Sequence, residues 1–169
     1  MRILSYALIA LAGIPAVAAA QTPAPCATPK SHQFDFWVGK WEVFPAGHPG
    51  TKVADSLIEK LYADCAVREN WMPLKGPGGG SLNAWIPEKK AWRQTWLDAG
   101  GFADFTGGWN GQAMVIQGVW PQPGHPDQVT RMTYTPRTDG SVEQAGETSD
   151  DGGKTWAPSF DLIYIHPKS

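Results

Sequence analysis

The residues of this chain that could do chemistry fall in three short segments with one shared pattern. Val67, Glu69 and Trp71 lie two residues apart, as do Ser81, Asn83 and Trp85, and again Trp92, Gln94, Trp96 and Asp98. Residues two apart on an extended strand point to the same face. Each face then mixes large aromatics with hydrogen-bonding groups. Such a mixture suits the wall of a small-molecule pocket, where apolar area gives affinity and a few polar groups fix orientation. Arg131, Gln144 and Tyr164 can add polar groups from later segments. The expected ligand-binding set is Glu69, Trp71, Asn83, Trp85, Gln94, Trp96, Arg131 and Tyr164. The expected ligand is small and apolar or aromatic.

Glu69 also allows an enzyme. A carboxyl buried in such a cavity has its pKa raised by desolvation and can act as a general acid or base. A lone buried carboxylate is costly, so Arg131 is the expected partner of Glu69. No nucleophile motif, zinc-helix motif, P-loop or dinucleotide fingerprint accompanies it. His48 and His125 each precede a proline in loops, with no carboxylate or cysteine at ligand spacing, and read as solvated loop residues. No metal site is expected.

The segment "SDDGGKTW" (149–156) matches the S-x-D-x-G-x-T-W pattern of the Asp-box found in sialidases and other propellers. Its logic is local: the Asp accepts from turn amides, Gly takes positive φ, and the Trp packs under the hairpin. A propeller needs repeated blades. One copy reads as a stabilising hairpin, not a sialidase site.

The elements that must position these groups are strands. Gly and Pro interrupt the chain too often for long helices, and runs of β-prone residues alternate with turns. His32 to Trp37 can form one helical turn. Strands are expected near 38–44, 52–62, 66–72, 81–87, 91–98, 102–109, 112–120, 128–135, 141–148 and 155–165. Asn110-Gly111 is the strongest turn signal and predicts type I′ geometry. The fold class is all-β, an antiparallel meander. Closure into one barrel of about ten strands removes two vulnerable edges. Alternate loops are long and rich in Gly and Pro, so the barrel is expected to have a mouth at one end and a tight floor at the other. A rival reading has the nine tryptophans fill the barrel completely, leaving no room for a ligand. A third puts some of them outside as a carbohydrate-stacking platform, with Trp109 and Trp120 the expected exposed pair.

Residues 1–20 read as a secretory signal peptide: Arg2, an apolar run, then Ala18-Ala19-Ala20 before Gln21. Residues 21–31 read as a flexible linker, and 32–166 as a single barrel domain. The expected location is periplasmic or secreted, and in that setting Cys26 and Cys65 are expected to form a disulfide at the floor. The net charge of −2 argues against a nucleic-acid partner. No integral membrane segment is expected in the mature chain.

The ordered set "FDFWVGKWEV" (34–43), "CAVRENW" (65–71), "SLNAW" (81–85), "WRQTWLD" (92–98), "SDDGGKTW" and "FDLIY" (160–164) resembles a family of exported bacterial proteins of unknown function with a lipocalin-like barrel. More distantly the chain is similar to the calycin barrels, which include lipocalins, fatty-acid-binding proteins and nitrobindin-like proteins. The resemblance implies a barrel and leaves the ligand open. Lipocalins cover their first tryptophan with an arginine after the last strand; here the chain ends Ile165-His166-Pro167-Lys168-Ser169. Nitrobindin-like barrels bind haem through a late histidine, which makes His166 the position a haem would use.

Overall fold

The computed structural model describes residues 26–168. The expected signal peptide lies outside the described residues, as do residues 21–25 of the expected linker. Ten strands follow one another: β1 (Gly39–Pro45), β2 (Ala54–Leu61), β3 (Ala66–Pro73), β4 (Gly79–Ile86), β5 (Ala91–Asp98), β6 (Gly101–Trp109), β7 (Met114–Val119), β8 (Val129–Pro136), β9 (Val142–Ser149) and β10 (Ala157–Ile165). Each pairs antiparallel with the next, and β10 pairs back onto β1, closing the barrel. Every strand lies within two residues of its expected bounds. A strictly antiparallel order puts the β1–β2, β3–β4, β5–β6, β7–β8 and β9–β10 loops at one end, the upper one.

The lower end is plugged by the segment before β1. Thr28 caps a 3-10 turn at Pro29–His32, and a second turn follows at Asp35–Trp37. The Asp35 carboxylate accepts from Lys60 Nζ on β2 at 2.5 Å, which pins the segment to the barrel rim. Phe34 and Trp37 then enter the barrel. Their ring centroids stand 5.0 and 4.8 Å from Tyr134, and Phe34 meets Trp92 edge-on at 5.7 Å. Trp41 Nε1 donates to the Trp37 carbonyl at 2.8 Å. His166 stacks on Trp41 with centroids 3.9 Å apart and covers that ring at the floor.

Cys26 and Cys65 form the expected disulfide at this floor. Closing a loop of 39 residues is worth roughly 4 kcal/mol at most in a chain-entropy model. The adjoining β2–β3 turn is strained: Tyr62, Ala63 and Asp64 have φ of 56°, 54° and 66°, a conformation that costs each non-glycine residue about 1–2 kcal/mol. Here the bridge holds together a turn that opposes it locally.

The turn at Asn110-Gly111 differs from the type I′ expectation. Type I′ needs positive φ at two successive central residues, but here only Gly111 has it, at +106°. Asn110 stays outside that region and uses its side-chain oxygen to accept from Gln112 N and Ala113 N at 2.9 and 2.8 Å. The Asp-box hairpin forms as its sequence implies. Asp151 accepts from Lys154 N, Thr155 N, Thr155 Oγ1 and Ser149 Oγ, and Trp156 Nε1 donates to the Gly153 carbonyl at 3.1 Å. These bonds hold the Asp151 carboxyl below the usual carboxylate range, with Thr155 the largest contributor.

Candidate functional site

The odd-numbered strands run upward, so their last residues stand at the upper end. Trp71 closes on this end from β3, Trp96 and Asp98 from β5, and Trp120 from just past β7. Phe160 and Leu162 reach it from the middle of β10, which runs downward. Together with Glu69, Gln94, Met132, Tyr134, Gln144 and Tyr164, these residues enclose a cavity of about 290 Å³. That volume is near the lower bound for small-molecule sites, enough for a compound of one or two rings.

Two glycines make room for the aromatic wall. A Cβ on Gly79 would stand 2.6 Å from the Trp96 ring, and one on Gly146 would stand 2.2 Å from the Phe160 ring. Glycine within a strand often marks such a close approach. Trp96 leans on Trp120 with centroids 6.1 Å apart, and its Nε1 donates to Asp98 Oδ2 at 2.8 Å.

Below the aromatic wall lies a buried polar network drawn from seven strands. Glu69 accepts from Ser56 Oγ at 3.2 Å, Ser81 Oγ at 3.3 Å and Tyr164 OH at 3.4 Å. Tyr164 OH also donates to Gln144 Oε1 at 2.7 Å, and Gln144 Nε2 donates to Tyr134 OH at 3.0 Å. Gln94 Nε2 donates to Asn83 Oδ1 at 2.7 Å and reaches Tyr134 OH at 3.3 Å. Asn83 in turn donates to Ser81 Oγ and the Val67 carbonyl. Burial pushes the Glu69 carboxyl up to about 7, and the three hydroxyl donors only partly offset it. Burial also raises the Tyr134 and Tyr164 phenols, and the nearby Glu69 charge adds to both.

Of the eight expected ligand-binding residues, Glu69, Trp71, Gln94, Trp96 and Tyr164 line the cavity. Asn83 sits behind Gln94 and holds its amide. Trp85 faces inward but at the floor, where it pairs across strands with Trp92 and lies under the Lys30 ammonium. Arg131 does not meet Glu69. It projects outward from β8, donates through Nε and Nη2 to Glu147 at 2.9 and 2.7 Å, and lies 4.0 Å over the Trp156 ring. The alternation of β8 is the reason: Thr130, Met132 and Tyr134 take the inner face.

Trp120 corrects a second expectation, since it lines the cavity instead of standing outside. Trp109 packs on Phe36 at the floor, 5.6 Å between centroids. Met132, Tyr134, Phe160 and Leu162 are lining residues absent from the expected set; the same two-residue alternation in β8 and β10 marks them. His166 does not fit as a haem ligand to this cavity. It stands at the opposite end, stacked on Trp41, with Nδ1 3.2 Å from the Lys40 carbonyl. His125 pairs with Asp150 at 3.0 Å in the upper loops. Among the described residues no group of three His, Cys, Asp or Glu side chains is placed to hold a metal ion, and no helix is long and apolar enough to cross a membrane.

No family model matches the chain, and no curated protein matches it.

Proposed function

We propose that this protein is an exported barrel of the calycin type that holds a small ring compound in the upper half of its barrel. The observation that carries this reading is the cavity between the strands' upper ends, walled by tryptophan and phenylalanine and based on a buried, hydrogen-bonded polar network. The disulfide supports an oxidising compartment such as the periplasm or the exterior. Native mass spectrometry of the protein purified from its own cells tests the reading. The expected result is a retained small molecule that is lost in Trp96→Ala. A chain with no retained molecule, and with tryptophan emission unmoved by a set of one- and two-ring compounds, would return the barrel to the filled reading.

Glu69 favours a second reading, in which the cavity is an active site. A carboxyl that titrates near neutrality beside an open volume can take or give a proton on a bound substrate. In that case the retained molecule changes mass on incubation, and Glu69→Gln stops the change while leaving binding in place.

A further inference from the structure

The charge of the cavity is one-sided. Two carboxyls line it, Glu69 at its base and Asp98 at its rim, and among the described residues no Lys, Arg or His does. The basic side chains of the surrounding strands are engaged elsewhere. Lys60 holds Asp35, Arg68 holds Glu59, Arg93 holds Asp104 and Arg131 holds Glu147. The aromatic wall presents π faces, whose negative quadrupole attracts cations.

The hydrogen-bonding groups at the base point the same way. Gln94 commits its amide nitrogen to Asn83 and Tyr134, and its side-chain oxygen has no partner among the described residues. Glu69 offers carboxyl oxygens. The groups packed against Glu69 are Ser56 from β2, Ser81 from β4 and Tyr164 from β10, with Tyr134 from β8 close enough to feel its charge. All are uncharged hydroxyls, so the carboxyl has no cationic partner. A buried carboxylate in that position is costly until an opposite charge arrives.

We propose that the ligand of this cavity is a cationic amine: a small ring compound whose ammonium group reaches Glu69 while its ring lies among Trp71, Trp96, Trp120 and Phe160. This rests on the reading of the cavity as a ligand site. An ammonium group carries donors and no acceptor, which matches a base of carboxyl and carbonyl oxygens. Binding then couples to protonation. The ammonium favours the ionised carboxylate, so occupancy below neutral pH requires Glu69 to release its proton.

Three probes of similar shape separate the possibilities by calorimetry: 2-phenylethylamine, 2-phenylethanol and phenylacetate. The amine is expected to bind about tenfold or more tighter than the alcohol, and the carboxylate weakest. Amine affinity is expected to rise from pH 6 to pH 8 as Glu69 ionises, while the alkyl ammonium keeps its proton throughout that range. Glu69→Gln should remove most of the amine preference and flatten the pH profile. The profile of the unmodified chain answers the question even if that variant fails to fold. Equal or tighter binding of the alcohol or the carboxylate, or an amine affinity that is flat or falls with rising pH, overturns the cationic assignment and leaves the pocket reading standing. Failure of all three probes to bind overturns both.

Discussion

In the lower half of the barrel Trp37, Trp41, Trp85, Trp92 and Trp109 pack against the plug segment, the floor strands and one another; in the upper half Trp71, Trp96 and Trp120 stand around an open volume. The ninth tryptophan, Trp156, is outside, beneath Arg131. One residue type serves as core below and as wall above. The difference comes from what reaches each half. Phe34 and Trp37 enter from below and fill the space between the lower strands, and the disulfide and the Lys60–Asp35 pair fix them there. Nothing equivalent descends from above among the described residues. The filled-barrel and hollow-barrel readings of the sequence thus each describe one half.

The largest expected effect contrasts one tryptophan from each half. Trp41 is 2% exposed, and its indole N–H satisfies the Trp37 carbonyl. Trp41→Ala removes that bond, the stack on His166 and a large buried volume. The expected loss is about 3–5 kcal/mol in urea unfolding. Trp96 faces the cavity and already lacks partner atoms on that side. Trp96→Ala is expected to cost only about 1–2 kcal/mol, scaled down from a core tryptophan, while ligand binding is lost. Equal losses of stability in the two variants would mean that the upper half is core as well.

The strands were legible because Gly, Asn, Asp and Pro mark nearly every turn, and alternation over 66–98 assigns each inner face directly. The division into halves was not legible. Whether a tryptophan fills or lines depends on how deep Phe34 and Trp37 reach, which no local pattern records. Arg131 shows another limit. It is the one charged residue of β8, and chemistry alone made it attractive as a partner for Glu69. The face of β8 is decided by burying Met132 and Tyr134, and that leaves Arg131 outside with Glu147. Trp120 lies just past the end of β7 but keeps the inward parity of Met114 and Ile116, so the alternation of β7 carried one step further marks it as a lining residue.

A second test sharpens the comparison at its boundary, the polar network between the halves. Glu69 has its folded pKa raised from 4.5 to about 7 by burial. Between those values the folded state keeps a proton that the unfolded chain has released. Stability is therefore expected to be greatest below about pH 4.5 as far as this group is concerned, and to fall as pH rises through about 7. The total change is on the order of 3 kcal/mol. Asp104, Asp139, Asp150 and Asp151 have lowered pKa values, so their contributions are lost at more acidic pH. Glu69→Gln should abolish the decline between pH 5 and 8, read as the difference between the urea midpoints of the two proteins. A variant that follows the same decline would mean that water reaches Glu69 freely and that the boundary is open.

The smallest expected effect sets inside against outside. Arg131 and Glu147 are each about one-third exposed, and the guanidinium also lies on Trp156. An ion pair of that exposure and a surface cation–π contact are together worth about 1 kcal/mol. Arg131→Ala is therefore expected to lower stability by no more than that and to leave ligand affinity unchanged. The informative outcome is the affinity. The register of β8, with Arg131 opposite Gln117 on β7 and Glu147 on β9, puts Met132 and Tyr134 into the cavity. A slip of one residue would exchange the faces, bringing Arg131 in beside Glu69 and turning Tyr134 out of the network. An Arg131→Ala variant that binds a cationic ligand several-fold more tightly, Glu69 having lost a competing guanidinium, would show that exchange. An unchanged affinity leaves Glu69 without a protein cation, the condition on which its pairing with a cationic ligand depends.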